Sequence, residues 1–549
     1  MSGWDETVDF VIVGSGAGSL CAAMAMVDAG RTPLVLEKTD KVGGSTAMSG
    51  GVLWVPNHPL QKAAGVDDSY EKSAQYLDAA VGDVGPSTSR ARKDMFLRMG
   101  PKMVEYLQGK GLKFLRADGW SDYHDELPGG CPRSRSLTME VFDANQLGPT
   151  WSKRLRRGPS DMPVRNTEGR KLQLMTRTVG GKMAAARLGM RLMRNKLMGQ
   201  QLVGMGAAIQ GRMLQAALRH KVEIRIDCPV EDLVEENGRI TGVVVRQGGK
   251  TRRIGAREGV LINAGGFSHN ADMRKRYGPQ PSSVDWTNAN PGDTGEMIEI
   301  AKLHGAATDL MDQAVWLVTS LAPGGVRAFH VLDIPKPHSI IVDTAGRRFL
   351  NEAQSYMRNG QAMYAHQAVP AFAILDSRHR ERYPWGMTPG GVPPQAWLDS
   401  GYMKRADSLD ELAKLCGIDA DGLKTTVERF NGFARTGKDL DFHRGDRAYD
   451  KVFADPTVKP NPSLGAIEKP PFYAVEVFPG DVGTYGGLVT DEYARVLNDA
   501  GQVIPGLYAT GNSTASVTGK TYPGAGASIA ASFIFGWVAA RHASGTMAN

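Results

Sequence analysis

"VDFVIVGSGAGSLCAAMAMVDAGRTPLVLEK", residues 8–38, decides the fold. Val8, Phe10, Val11, Ile12 and Val13 form a short apolar run of the kind that makes a buried parallel strand. Gly14, Gly16 and Gly18 follow at once, Ala22 to Val27 continue as a helix, and Pro33 to Leu36 make the next strand. Gly14 permits a tight turn. Gly16, between Ser15 and Ala17, removes a side chain so that backbone can approach a pyrophosphate, and the helix N-terminus supplies N–H groups and partial positive charge. Glu37 closes the second strand 23 residues after Gly14, beside Lys38, where a carboxylate can accept hydrogen bonds from an adenosine ribose. Ser19 stands where a third glycine is usual, which predicts looser packing of the helix, partly relieved by Gly18. Strand, turn, helix, strand and acid fall in register, so the segment reads as a dinucleotide site rather than as an ordinary βα turn.

The next residues distinguish one dinucleotide from another. "EKTDKVGGSTAMSGGVLWVPN", residues 37–57, places Gly43-Gly44-Ser45-Thr46 and Ser49-Gly50-Gly51 directly after the acid. Small and hydroxyl residues in series let a loop run along a large flat cofactor and donate N–H groups to phosphate and ring. This run resembles the corresponding segment of flavoproteins related to fumarate reductase and 3-ketosteroid dehydrogenase, which implies FAD. The histidine that attaches flavin covalently in some relatives is absent, so the FAD is expected to be noncovalent. "GVLINAGGFSHN", residues 259–270, resembles the strand that closes the FAD domain, with Ala264 and Gly265 near the cofactor. "VIPGLYATGNSTAS", residues 503–516, resembles a second FAD contact through Gly511 and Asn512. Val230 and the start of the last helix, Ala527, Ser528 and Ile529, complete the expected cofactor contacts. The fold expected is α/β: a discontinuous Rossmann-type FAD-binding domain over 1–285 and 470–549, with an inserted α+β cap, the catalytic domain, over 286–469.

Composition agrees. With 549 residues, 42% hydrophobic and 22% charged, the chain is globular and too long for one core. Cys21, Cys131, Cys228 and Cys416 are far apart and show no metal-ligand spacing, so no metal is expected. The acidic start "MSGWDETVDF" does not read as a secretory leader, and no apolar run is long enough to span a bilayer; a cytoplasmic enzyme is the expectation.

Two segments bear on the substrate. "DVGTYGGLVTDEY", residues 481–493, keeps Gly486-Gly487 of the fumarate reductase pattern but lacks its histidine, and a small diacid without cationic clamps would lose most of its binding energy. "KTYPGAG", residues 520–526, precedes a long apolar helix. A Tyr522 O–H and a Gly526 N–H at that helix N-terminus can converge on one oxygen, an oxyanion hole for a carbonyl becoming an enolate. The alternative is a Pro-Gly turn with a packed tyrosine. "TGKTYPGAGASI" is similar to the signature of 3-ketosteroid Δ1-dehydrogenases. The resemblance implies that Tyr522 and Gly526 bind the steroid C3 ketone. It also covers "GRRFLNEAQSYMRNGQAMY", residues 346–364, where it implies that Tyr356 is the base. Ser355 replaces a proline common there, so Tyr364 competes for the role. Tyr123, in "SDYHDELPGG", best matches a family tyrosine bonded to the base, with Tyr106 close by in sequence. The implied reaction introduces a C1–C2 double bond: the C2 proton goes to Tyr356, held as phenolate by a hydrogen bond from Tyr123, and the C1 hydride goes to FAD N5. No second fingerprint remains for NAD(P), so a quinone or another acceptor must reoxidise the flavin. A 3-oxo-5α-steroid 4-dehydrogenase, a fumarate reductase-like enzyme and a noncatalytic flavin-binding module are the alternatives.

Charge is uneven. Residues 151–200 hold thirteen Lys/Arg and two acids, a local +11, so the remainder carries 7 − 11 = −4. This insert, about 150–198, reads as a basic amphipathic helix: Arg187, Arg191 and Arg194 share a face, with Met190, Met193 and Leu197 a quarter turn away. It is a solvated cationic face over core methionines, a dock on an anionic membrane surface, or a partner or oligomer contact. Nucleic acid is not expected, because no recognition fold accompanies the charge. Docking would place the enzyme at the inner face of the cell membrane. It would suit a bulky lipid-dissolved ketosteroid such as cholest-4-en-3-one, in cholesterol degradation.

Overall fold

β1 (Glu6–Val13) is the strand expected from the first apolar run, and its last four residues are buried. It leads through the glycine turn into α1 (Ala17–Asp28) and then β2 (Pro33–Leu36), parallel to β1. The computed structural model describes residues 3–158 and 162–547. A long excursion follows, containing α2 (Val179–Met198) and α3 (Met205–Arg219), before β3 (Glu223–Arg225) joins β2 in parallel. The meander β4 (Val230–Glu236), β5 (Arg239–Gln247) and β6 (Lys250–Ile262) returns the chain to the other side of β1. Runs as uniformly apolar as Phe10–Val13 and Val260–Ile262 suit parallel strands covered by helices on both faces.

The cap is built on a second, antiparallel sheet. Its strands are β7 (Ala314–Ala322), β8 (Val326–Phe329), β9 (Ser339–Val342), β10 (Ala371–Leu375), β11 (Met403–Ala406) and β12 (Phe472–Thr484), in the order β8-β7-β12-β10-β9 with β11 also on β12. α4 (Tyr356–Ala365) packs against β7. β12 is the centre of this sheet, so the expected boundary at residue 470 falls too early. Phe472 to Asp481 and Thr484, all past it, still pair with cap strands, because β12 carries the partners of β7 at one end and of β10 and β11 at the other. The chain rejoins the first sheet with β13 (Arg495–Leu497) and β14 (Val503–Ala509), giving the order β13-β14-β6-β1-β2-β3.

α5 (Ala527–Ala543) takes up the last apolar segment and lies against α1. A Cβ on Gly18 would stand 2.3 Å from Ser532 Oγ, and one on Gly536 would stand 2.6 Å from the Gly18 carbonyl oxygen, so the two helices touch backbone to backbone. The looser packing expected from Ser19 does not occur. Its side chain is wholly buried, and its hydroxyl accepts from Asn263 Nδ2 at 2.8 Å, tying α1 to the end of β6.

The basic insert is divided. Residues 159–161 lie outside the described residues. Arg191 does not share the expected solvent face: it pairs with Glu168 and donates to the Pro163 carbonyl at 3.1 Å. Arg165 joins the same carboxylate, and Arg177 pairs with Asp455 of the cap at 2.9 Å. The methionines are not core residues either. Val179, Met190, Met193, Leu197 and Met198 of α2 are 58–77% exposed.

Candidate active site

A cavity of about 1020 Å³ opens at the C-terminal ends of β1, β2 and β6 and continues to the seam with the cap. Open parallel sheets hold their ligands at this end. Gly14, Ser15, Gly16, Glu37, Lys38, Gly44, Ser45, Thr46, Ser49 and Gly50 line it, as do Val230, Ala264, Gly265, Gly511, Asn512, Ser528 and Ile529. Of the expected contacts, Ala17, Gly18, Gly43, Gly51 and Ala527 are not among the residues that line it. Gly14 has φ +96, and a Cβ there would lie 2.2 Å from the Asn263 carbonyl oxygen. Gly51 has φ +67 and would meet the Met205 carbonyl carbon at the same distance.

These residues fit FAD. The N-cap of α1, Gly16, makes no side-chain cap, and the Ala17 N–H has only a long bond to Thr46 Oγ1 at 3.4 Å, so this helix end can offer N–H groups and partial positive charge to a pyrophosphate. The Glu37 carboxylate, 7% exposed, is oriented by Thr39 N and Oγ1, both 2.9 Å away, and by Ser15 Oγ. A segment the motif reading missed also lines the cavity through Asn288, Asn290, Gly292, Asp293 and Glu296. Asp293 lies under Gly265, where a Cβ would come within 2.3 Å of its Oδ1, and accepts from Ser45 Oγ at 3.0 Å. Burial pushes the Asp293 carboxyl up to about 7, against the opposing pull of the Ser45 hydrogen bond and the Lys38 charge.

At the seam the chain brings together tyrosines from both halves. Tyr356, first residue of α4, meets Tyr522 at 5.4 Å and Tyr123 at 5.4 Å between ring centroids, and Tyr123 lies 5.6 Å from Tyr522. Two more were not anticipated: Tyr449 of the cap, 4.3 Å from Tyr123, and Tyr485, 6.1 Å from Tyr522. The Tyr522 loop is pinned by its neighbour Pro523, whose carbonyl accepts from Tyr123 N at 3.0 Å and Tyr76 Oη at 2.6 Å. Tyr522 Oη is 3.2 Å from Ser528 Oγ. Gly526 is the N-cap of α5 with φ +90, and a Cβ would lie 2.0 Å from the Val52 carbonyl oxygen, so only glycine fits. Its N–H has no acceptor among the described residues and, like the Tyr522 ring, it lines the cavity.

Tyr364 stands apart. It donates to the Pro281 carbonyl at 3.2 Å and packs edge-on to Trp316. Tyr106 is farther off, bonded to Asp28 at 2.7 Å. The expectation that Tyr123 holds Tyr356 as a phenolate is corrected. Burial, then the neighbouring Tyr123 and Tyr522 phenols, push Tyr356 well above the usual range, and the Tyr123 hydrogen bond itself favours its neutral form. The physical reason is that Tyr356 is surrounded by phenols, with no cation among the described residues acting to stabilise a negative oxygen.

Beyond the tyrosines the wall is apolar: Leu317, Phe329, Val331, Leu332, Trp385, Trp397 and Phe453. Two arginines line the cavity, and both are engaged elsewhere. Arg170 donates to the Asp118 and Gly119 carbonyls at 2.7 Å, and Arg327 donates to the Asp285 carbonyl at 2.9 Å. Buried Arg274 faces Asp481 at 3.3 Å. No pair of free cations is set out for a diacid among the described residues.

Comparison with known proteins agrees with this geometry. A family described as FAD binding domain matches residues 9–529. The chain is 40% identical to the 3-oxosteroid 1-dehydrogenase of Mycolicibacterium smegmatis, covering 99% of this chain and 98% of that protein. It is 40% identical to the enzyme of the same name from Mycobacterium tuberculosis, over 98% of each. Its structure superimposes on 3-ketosteroid Δ1-dehydrogenase from Sterolibacterium denitrificans, solved with 1,4-androstadiene-3,17-dione, with a TM-score of 0.93 at 36% identity, covering 98% of this chain and all of that one. FAD is therefore the cofactor, and the chain belongs to the 3-oxosteroid 1-dehydrogenase family of FAD-binding flavoproteins.

Proposed function

We propose that the protein catalyses FAD-dependent 1,2-dehydrogenation of 3-ketosteroids. The observation that carries this is an O–H and an unpaired N–H, Tyr522 and Gly526, on the wall of an apolar cavity continuous with the FAD cradle. A ketone oxygen gripped by both gains charge as the C2 proton leaves, and one such donor is worth about 3 kcal/mol of barrier. The uncapped N-terminus of α5 adds a favourable dipole at the same point. Tyr356 receives the C2 proton. The burial that disfavours its phenolate at rest makes that phenolate a strong base once formed, so proton abstraction gains with rising pH. Tyr123 packs edge-on against the Tyr356 ring and is itself backed by Tyr449. Bound FAD supplies the two-electron acceptor at the C1 carbon. The aromatic faces suit a flat polycyclic substrate.

The test is anaerobic addition of a 4-ene-3-ketosteroid and of a saturated 5α-3-ketosteroid to the holoenzyme, with the new double bond located in each product. Flavin bleaching and a C1–C2 double bond are expected. A C4–C5 double bond from the 5α ketone as the sole product would reassign the enzyme as a 4-dehydrogenase, and no bleaching by any ketosteroid would refute the reading.

The same protein is read as a peripheral membrane enzyme acting on bulky ketosteroids, passing electrons to a quinone. The exposed methionines and leucines of α2, alternating with Lys182, Arg187, Arg194 and Lys196, form an apolar surface rimmed by cations. No helix is long and apolar enough to cross a membrane among the described residues. Replacing Met190, Met193 and Leu197 by serine is expected to abolish flotation with anionic liposomes while flavin reduction by a ketosteroid dispersed in detergent persists. Unchanged flotation would exclude docking through this helix.

A further inference from the structure

Behind the cap wall lies a chain of polar side chains that the dehydrogenation does not use. The Trp385 indole N–H donates to Tyr402 Oη at 3.0 Å, Tyr402 Oη is 2.7 Å from Ser320 Oγ, and Ser320 Oγ is 2.7 Å from His330 Nε2. His330 Nδ1 is 2.9 Å from Asp333 Oδ2, which also accepts the Gly386 N–H at 2.6 Å. Indole N–H groups only donate and carboxylates only accept, so with a neutral imidazole one set of roles completes the chain. Trp385 donates to Tyr402, Tyr402 to Ser320, Ser320 to His330, and His330 through Nδ1–H to Asp333. Each bond polarises the next in the same direction, which strengthens the whole. Ser320, His330 and Asp333 are at most 1% exposed and none lines the large cavity, so Ser320 is not a nucleophile for any substrate there.

Both ends of this chain terminate on one short turn. Trp385 and Thr388 exchange backbone hydrogen bonds at 3.0 and 3.1 Å, closing the turn. Arg380 clasps its flanks through the Tyr383 and Pro389 carbonyls, both at 2.9 Å. The Trp385 ring stacks on His330 at 4.1 Å, while Trp385, Met387 and Thr388 face the cavity. A Cβ on Gly386 would stand 3.1 Å from Ala328 of β8, the edge strand of the cap sheet, and Val326 to Phe329 of that strand also line the cavity, so the turn belongs to the cap wall and not to the loop that carries Tyr522 and Gly526. A buried, fully satisfied polar chain contributes uniqueness of geometry, and here it is spent on one indole.

We propose that Tyr402, Ser320, His330 and Asp333 are positioning residues that hold the Trp385–Thr388 turn, and that this turn sets which ketosteroids are accepted by packing on the end of the substrate remote from the ketone. The inference rests on the ketosteroid reading. Removing the Tyr402 hydroxyl leaves the indole N–H unpaired, and removing a later link leaves Tyr402 without its own acceptor; either change loosens the turn, while Tyr522 and Gly526 make no hydrogen bond to any member of the chain.

The test uses the holoenzyme with two ketones of equal ring system, 4-androstene-3,17-dione and cholest-4-en-3-one, the second carrying an extended side chain. Tyr402→Phe is expected to lower kcat/KM for cholest-4-en-3-one about fivefold, the worth of one neutral hydrogen bond, through KM with kcat unchanged. The compact ketone should stay within about twofold of wild type. In a Trp385→Phe background the same Tyr402→Phe change should have no further effect, because the N–H it served is gone. If Tyr402→Phe does not fold, Ser320→Ala carries the same expectation. A wild type that oxidises both ketones, with variants that keep the wild-type ratio or lose equally on both, overturns this inference alone. A wild type that oxidises neither overturns the ketosteroid reading and this inference with it.

Discussion

Tyr522→Phe isolates the oxyanion donor. The Tyr522 ring is 5% exposed and held by Tyr123, Tyr356 and Tyr485 at 5.4–6.1 Å, so a phenylalanine keeps the same place. Among the described residues its hydroxyl has one hydrogen-bond partner, Ser528 Oγ at 3.2 Å, and that long bond is worth at most about 1 kcal/mol to the fold. The loss in catalysis is of another order. Gly526 N–H remains, so one of two donors is removed, and a single donor at such a site is typically worth about 10²–10³ in rate, or ~3–4 kcal/mol. The assay is the rate of anaerobic flavin bleaching in a single turnover, which excludes reoxidation by the acceptor. The expected result is a fall of about two to three orders of magnitude, with the FAD content and melting temperature of wild type. Bleaching within about threefold of wild type would mean that the Tyr522 hydroxyl does not carry the developing charge, and the oxyanion assignment would be withdrawn.

Tyr356→Phe should abolish turnover while the affinity for the steroid, read by equilibrium dialysis, stays near that of wild type. Because burial and neighbouring phenols raise the Tyr356 hydroxyl, wild-type single-turnover rates should climb from neutral to alkaline pH. A flat profile across that range argues against a phenol base. Asp293→Asn is expected to stabilise the protein as pH rises. Below about pH 4 the carboxyl is protonated in the folded and unfolded chains alike. Between about 4 and about 7 the unfolded chain releases its proton while the folded chain retains it, so the wild type loses stability relative to the variant. The ceiling of the difference is about 4 kcal/mol, read by chemical denaturation at a series of pH values. No divergence between the two curves over that window would show that Asp293 ionises freely in the folded protein.

The dinucleotide half was legible because its information is local. Strand, turn and helix are contiguous over residues 8–36, and Gly14 declares its need in its own neighbourhood. The cap boundary was not. Phe472–Val477 reads as a strand in either sheet, and only its pairing with Ala371–Leu375, a hundred residues upstream, assigns it. Tyr522 and Tyr356 were found by resemblance to a family and not by periodicity, since a tyrosine beside Pro-Gly is equally a packed turn. Tyr449 carries no motif at all, and its partner Tyr123 lies over three hundred residues earlier. The protonation of Tyr356 was misjudged because burial is a property of the assembled seam. Arg191 was misplaced on the α2 wheel because a helical projection shows angles and not the acid, Glu168, that waits on another helix. The segment 288–297 could have been noticed as a run of small and amide residues following the closing strand of the FAD domain.

The central claim is that one ketone oxygen is held by the Tyr522 O–H and the Gly526 N–H over the flavin cradle. A crystal structure of the FAD-loaded protein with a 3-ketosteroid measures it most directly. The account predicts the C3 oxygen within about 2.7–3.1 Å of both Tyr522 Oη and Gly526 N, with C2 facing Tyr356. A steroid bound with its C3 oxygen away from these two donors, or with the Tyr522 hydroxyl turned out of the cavity, would contradict it.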